Sequence, residues 1–215
     1  MATNQFITNK IPLGLYIHIP WCVKKCPYCD FNSHTLKTEL PPAKEYIRAL
    51  EQNMLSYKNL IQNRAISTIF FGGGTPSIFS GANIGSILNL VTKHFSLTDD
   101  VEITLEANPG TVEQQKFSDF KTAGVNRISI GVQSFSQQKL HSLGRIHSGM
   151  EAQNAIKAAQ QAGFDNINID IMYGLPGQIS AESNNDLEIA LSFQTPHLSW
   201  YQLTIEPNTV FYHKK

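Results

Sequence analysis

At 215 residues and 24.0 kDa the chain is long enough to enclose a substantial hydrophobic core and too long for a small disulfide-stapled module. Its 41% hydrophobic and 16% charged residues exclude intrinsic disorder. Lys plus Arg at 17 balance Asp plus Glu at 17, which argues against a nucleic-acid or anionic-membrane binder, because such proteins concentrate positive charge to capture phosphate.

Short apolar runs alternate with helical periodicities. The first run, 15–20 (LYIHIP), leads straight into a group of cysteines. Residues 41–62 then carry Ile47, Leu50, Met54, Tyr57 and Ile61 at steps of three and four, one helical face. Pro41 and Pro42 stand at its entrance, where missing N–H groups cost little. The run 67–74 (STIFFGGG) precedes a second helix containing Ile84, Ile87, Leu88, Val91 and Phe95. The runs 101–109 (VEITLEANP) and 127–134 (RISIGVQS) flank a helix ending at Gly124, and a further helix ending at Gly163 leads into 167–176 (INIDIMYGLP). Both glycines stand where a left-handed C-terminal cap is needed. The last run is 198–207 (LSWYQLTIEP).

Repeated strand–helix alternation implies parallel strands joined by right-handed crossovers. The nearly continuous apolar runs predict a sheet covered on both faces. No low-complexity linker divides the chain, so we read one α/β domain. Polar or flexible residues gather at the ends of the runs: Gly72 to Thr75, Glu106 and Asn108, Gln133 and Ser134, Asp170, and Thr204 with Glu206. That pattern favours a partial barrel, in which every strand delivers its last residues to one mouth. No run of about 18 apolar residues occurs, and MATNQFITNK at the start holds no apolar signal core. A cytoplasmic protein without a transmembrane segment is the expectation.

The three cysteines, Cys22, Cys26 and Cys29, fall within eight residues. An odd, clustered set is a poor disulfide framework and a good metal-ligand set. On one loop they can hold three corners of a cubane iron–sulfur cluster and leave the fourth iron open. Soft thiolates also suit zinc, and His18 or His34 could complete a Cys3His zinc site. A simple electron carrier normally has four cysteines. Three therefore point to chemistry at an open iron.

The spacing CVKKCPYC resembles the CxxxCxxC pattern of the radical S-adenosylmethionine (SAM) enzymes. The motifs around it, in order YIHIPWC, FFGGGTPS, LEANP, GVQSF, LGRIH, NIDIMYGLPGQ and YQLTIEP, are similar to those of the oxygen-independent coproporphyrinogen III oxidase superfamily, above all its haem-chaperone branch. The resemblance runs from about residue 13 to the C-terminus. It implies a partial (β/α)6 TIM-like barrel with a [4Fe–4S] cluster on Cys22, Cys26 and Cys29. The amino and carboxylate groups of SAM would chelate the open iron, and one electron from the cluster would cleave the sulfonium to a 5′-deoxyadenosyl radical.

By the same resemblance Tyr16 lies near the sulfonium and methionine portion, and Tyr28 beside the adenine. Gly73, Gly74 and Thr75 meet the methionine amino group. Glu106, Gln133, Arg145 and Asp170 surround its carboxylate and the ribose, and Thr204 takes an adenine-contacting position. The residue types suit these tasks: glycine lets carbonyls approach an ammonium closely, arginine forks onto a carboxylate, and an acid accepts from ribose hydroxyls. Each also has a plainer reading alone, as a turn, a helix cap or, for Arg145, a surface residue. Their joint appearance at successive strand ends sets them apart. Met54, Met150 and Met172 read as packing residues. Lys24 and Lys25 read as a solvated loop or a contact for an acidic electron donor. His34, His94, His141, His147, His197 and His213 have no metal-site spacing.

The function so implied is haem binding and delivery to a haem-accepting protein, with a reductase or flavodoxin-like donor serving the cluster. The rival is the oxidase itself, converting coproporphyrinogen III to protoporphyrinogen IX in porphyrin biosynthesis. Against the rival stands Phe31, since the oxidases carry a further cysteine two positions after the third ligand and this chain reads CPYCDFNSH. Whether the protein turns over a substrate is left open. Family members continue past the sixth strand into a C-terminal domain implicated in haem binding. The expected organisation here is an N-terminal extension at 1–12 and a radical SAM core at 13–215, without that domain.

Overall fold

The computed structural model describes residues 11–111 and 114–214, so residues 1–10 of the expected N-terminal extension lie outside it. In chain order the elements are β1 (Leu13–Ile19), β2 (Trp21–Cys22), β3 (His34–Thr35), α1 (Ala43–Tyr57), β4 (Ile66–Gly73), α2 (Gly81–His94), β5 (Leu97–Ala107) and α3 (Gln114–Ala123). They continue with β6 (Arg127–Gln133), α4 (Gln137–Ser142), α5 (Gly149–Gln161), β7 (Asn166–Tyr173), α6 (Ser180–Ser192), β8 (His197–Gln202) and α7 (Val210–His213). Six strands form one sheet in the order β1-β4-β5-β6-β7-β8, every pairing parallel. Sheet order thus follows chain order, the arrangement of a βα barrel. Among the described residues β1 and β8 are edges, so the barrel is partial.

Each strand alternates between two environments. One face presents Ile17 and Ile19, Ile69 and Phe71, Ile103 and Leu105, Ile128 and Ile130, and Ile167 and Ile169, all buried against the helices. Ile84, Ile87 and Val91 of α2, Phe117 and Phe120 of α3, and Ile156 of α5 meet them there. Each such side chain removed from water is worth about 1.5–3 kcal/mol. The other face carries Glu106, Ser129, Gln133, Asp170, Ser199 and Tyr201, which line a cavity. The expectation of a sheet covered by apolar packing on both faces is therefore corrected: the inner face is polar. An open barrel that admits a ligand and water keeps hydrogen-bonding groups on its lumen, because buried polar groups need partners.

Local signals account for most helix ends. Ser80 caps α2, its Oγ accepting from the Asn83 N–H, and α5 opens on a reciprocal pair between Ser148 and Glu151. Gly124 and Gly163 stand at φ of 111° and 82°, as their capping role requires. The first helix departs from the sequence reading at its C-terminal end. It stops at Tyr57, whose ring is exposed, and the chain turns through left-handed Gln62 and Asn63. Ile61 still packs on the core from beyond the helix. Met54 and Met172 are buried as expected, whereas Met150 is exposed on the first turn of α5.

Candidate cofactor site

The segment after β1 is braced before it reaches the thiols. Residues Trp21 and Cys22 pair with His34 and Thr35, closing a loop over the cysteines. The Lys25 Nζ donates to the carbonyls of Phe31 (2.9 Å) and Ser33 (3.1 Å), and the Cys29 N–H to the Cys26 carbonyl (3.1 Å). Lys25 is thus a strut inside the loop; Lys24 lines the cavity. A knot of Trp21, Tyr46 and Phe79 rings fixes the loop base, and the Tyr46 hydroxyl donates to the His18 carbonyl at 2.6 Å. From the far end of the chain, the Phe211 N–H of α7 donates to the Pro27 carbonyl at 3.0 Å, with its ring 6.2 Å from that of Tyr28.

Beneath the loop lies a cavity of about 510 Å³, within the range of ligand clefts. Its lining brings together Cys22, Cys26, Cys29, Tyr28, Gly74, Thr75, Glu106, Gln133, Arg145, Asp170 and Thr204. These come from the thiol loop and from the ends of β4, β5, β6 and β7, with Arg145 between α4 and α5 and Thr204 in the loop after β8. The last apolar run thus ends as a strand at Gln202, and Thr204 and Glu206 reach the cavity from a loop. Two residues of the expected set stand outside the lining. Tyr16 is largely exposed, with its hydroxyl 3.1 Å from His18 Nδ1. Gly73 sits behind Gly74 at φ 114° and donates its N–H to Glu106 Oε2 at 3.2 Å. Gly74 is tightly constrained: a Cβ there would stand 2.5 Å from the Trp21 carbonyl oxygen.

The electrostatics of the cavity are unbalanced in a way that fits a zwitterionic, cationic ligand. Arg145 donates from Nη2 to the Gly131 carbonyl at 2.7 Å and places Nη1 3.6 Å from Cys26 Sγ. Its Nε is buried without a hydrogen-bond partner, while the residue lines the cavity and brings a planar cationic fork of the kind that suits a ligand carboxylate. Burial, with the neighbouring Asp170 charge, pushes the Glu106 carboxyl up to about 7, only partly offset by the Gly73 N–H. Burial also raises the Asp170 carboxyl, and the polar side chains of Ser129, Ser199 and Asn168 beside it oppose the rise. A ligand ammonium or sulfonium would relieve this pair of desolvated acids. Burial likewise holds the Tyr28 phenol well above its usual range and raises the Cys29 thiol.

Among the described residues no three His, Cys, Asp or Glu side chains gather around one point as a mononuclear site needs. All three thiols line the cavity. His18, considered as a zinc ligand, has Nδ1 against Tyr16 and Nε2 2.8 Å from the Asn32 carbonyl oxygen, and His34 is exposed on β3.

Several residues of the site carried no sequence signal that was used. Tyr201 lines the cavity and donates its hydroxyl to Gln133 Oε1 at 2.7 Å. Gln133 itself adopts φ 72°, left-handed backbone at a register shift in β6, the kind of local strain that persists only where surroundings enforce it. His147, set aside on spacing, is buried and places Nε2 3.0 Å from the Val132 carbonyl oxygen. A carbonyl only accepts, so that nitrogen carries the proton. Burial and the nearby Arg145 charge lower the imidazole to about 4. Ser129, Asn168 and Ser199 were legible in principle, because they share the period-two face of Gln133, Asp170 and Tyr201.

A polar lumen opening onto clustered thiols is the layout of a half-barrel that holds a metal cluster and an organic cofactor in one mouth. The chain belongs to the radical SAM superfamily, whose sequence model matches residues 16–187. Membership implies a [4Fe–4S] cluster and SAM. The chain is 55% identical to the haem chaperone HemW of Escherichia coli strain K12, over 93% of this chain and 53% of that protein. It is 51% identical to the haem chaperone HemW of Haemophilus influenzae, over 93% and 53% respectively. Its fold matches coproporphyrinogen III oxidase (HemN) from Escherichia coli, a radical SAM enzyme, with a TM-score of 0.85 at 29% identity, covering 96% of this chain and 47% of that one. The chain spans about half the length of the relatives it matches. Among the described residues no helix is long and apolar enough to cross a membrane.

Proposed function

We propose that residues 13–215 are the cofactor-binding core of a cytoplasmic haem chaperone, a protein that binds haem and passes it to a haem-accepting partner. The observation that carries this reading is the 55% identity to a haem chaperone across 93% of the chain. Cys22, Cys26 and Cys29 hold the cluster, and a reductase or flavodoxin-like donor reduces it. Arg145, whose guanidinium belongs to the cavity lining, meets the methionine carboxylate of SAM. Glu106 balances the ligand's positive charge, with the backbone of Gly73, Gly74 and Thr75 at the amino group and Tyr16 beside the methionine portion. Asp170 accepts from the ribose, Gln133 stands near it, and Tyr28 and Thr204 contact the adenine. The bound pair supplies one-electron chemistry at the open iron. The chain's own residues bind, orient and shield it. Haem is assigned to the portion of the relatives' length that this chain does not span.

The structural match to an oxidase at TM-score 0.85 favours a second reading, oxidative decarboxylation of coproporphyrinogen III. Phe31 speaks against it. It lines the cavity with its ring 59% exposed, at the position where the oxidases are expected to carry a further cysteine. The full-length, cluster-loaded protein, kept anaerobic and reduced, is given coproporphyrinogen III in one arm and haem with an apo-acceptor in another. Stable haem uptake and transfer without porphyrinogen turnover is expected. Turnover would replace the chaperone with the oxidase. Phe31→Cys alone is not expected to create turnover.

A further inference from the structure

Asn168 lies on the same lumen face as Asp170, 4% exposed and outside the cavity lining, and it contacts three of the lumen's polar side chains. Its Nδ2 donates to Asp170 Oδ1 at 2.8 Å and to Ser129 Oγ at 2.9 Å, and its Oδ1 accepts from Ser199 Oγ at 3.1 Å. Ser129 in turn donates to Asp170 Oδ2 at 2.9 Å. The register explains the meeting: Ser129 pairs with Asn168 across β6 and β7, and Asp170 with Ser199 across β7 and β8.

The proton inventory fixes the direction of every bond. An ionised carboxylate only accepts, so the amide must turn its NH2 toward Asp170 and its oxygen toward Ser199. The amide has two N–H groups, and both are used. Ser129 receives one of them and has a single proton, which goes to the second Asp170 oxygen. Each carboxylate oxygen therefore holds one donor from the wall and keeps its remaining lone pairs for the cavity that Asp170 lines. The carboxylate plane cannot rotate without breaking two bonds. A fixed pair of acceptor oxygens matches two neighbouring O–H donors, as a fork matches a carboxylate in the opposite sense.

We propose that Asn168 is the positioning residue that makes this wall selective for a vicinal diol, by holding Asp170 as a rigid two-oxygen acceptor facing the cavity. The inference rests on reading the cavity as a SAM site and adds the residue that enforces its ribose selectivity. Asn168 touches no ligand; it acts through Asp170 and Ser129.

The test is equilibrium binding of SAM and of its 2′-deoxyribose analogue to the full-length, cluster-loaded protein. Wild type is expected to favour SAM roughly tenfold to a hundredfold, the range for one hydrogen bond to a charged group. Asn168→Leu is expected to compress that ratio below about threefold, by weakening SAM while the analogue's affinity changes little. A merely structural role would weaken both ligands alike and leave the ratio intact. An unchanged ratio in an Asn168→Leu protein with full cluster content and wild-type thermal unfolding overturns the proposal. If that variant does not fold, Asn168→Thr, which keeps a strand-forming residue but only one donor, decides the matter by the same ratio. A wild-type ratio near one is a different failure: it removes the ribose reading of the cavity, and this inference falls with it.

Discussion

Glu106→Gln isolates the cost of leaving an acid in the lumen. The folded chain holds the Glu106 proton up to about pH 7, against 4.5 for an ordinary glutamate, chiefly through burial and then the Asp170 charge. Between those values the folded state binds more protons than the unfolded one, so stability is greatest below 4.5 and is lost as pH rises through 7. At about 1.36 kcal/mol per pH unit the interval is worth about 3 kcal/mol, and about 2 kcal/mol once the opening to solvent is allowed for. Glutamine keeps the volume and an acceptor for the Gly73 N–H but carries no charge. In urea unfolding of cluster-free, ligand-free protein, the variant should match wild type near pH 4 and exceed it by about 2 kcal/mol at pH 8. The same substitution should weaken SAM at pH 8, because the ligand's positive charge loses its counterpart. Parallel stability curves for the two proteins from pH 5 to 8 would refute the reasoning.

Four further outcomes are expected. Cys22→Ala, Cys26→Ala and Cys29→Ala should each abolish the cluster, since the chain has no fourth cysteine to substitute; iron and labile sulfide analysis of anaerobic protein reads this, and one zinc without sulfide in the parent would end the cluster assignment. Gly74→Ala drives a Cβ into the Trp21 carbonyl, so it should cost about 1–3 kcal/mol of stability and most of the SAM affinity, measured by denaturation and titration. Asp186, 1% exposed, accepts from Ser134 Oγ at 2.6 Å and the Phe135 N–H at 2.8 Å; Asp186→Ala should cost about 2–4 kcal/mol in urea unfolding. Phe211→Ala removes the ring beside Tyr28, and oxygen should then bleach the cluster several times faster, with the initial iron content unchanged.

The outer face of the sheet was the most legible part of the molecule. Ile128, Ile130 and Val132 mark a strand by any apolar count, and Gly124 and Gly163 mark helix ends by their freedom to take positive φ. The inner face was misread because the same run holds Ser129, Gly131 and Gln133 between those residues, and a rich apolar content hid the alternation. The thiol spacing singled out Cys22, Cys26 and Cys29 as a candidate ligand set before any fold existed, and all three line the cavity. Arg145 was legible only through its motif, since nothing local says that a residue between two helices will reach Gly131 and Cys26. His147 and Asn168 escaped for a related reason. Their partners lie across strand pairings or turns, at separations of 15 residues for Val132 and 39 for Ser129, and no periodicity encodes such contacts.

The hydrogen bond from Phe211 to Pro27 has a consequence for the order of events during synthesis. The thiols leave the ribosome early, while the residue that steadies their loop follows about 180 positions later, on the order of ten to forty seconds at ordinary elongation rates. Tyr46, which closes over His18, and β4, which pairs with β1, arrive early in that interval, so of these braces α7 reaches the loop last. A nascent chain therefore displays three thiols on a segment that still lacks one of its braces. The loop is fully braced only once α7 has folded back onto it.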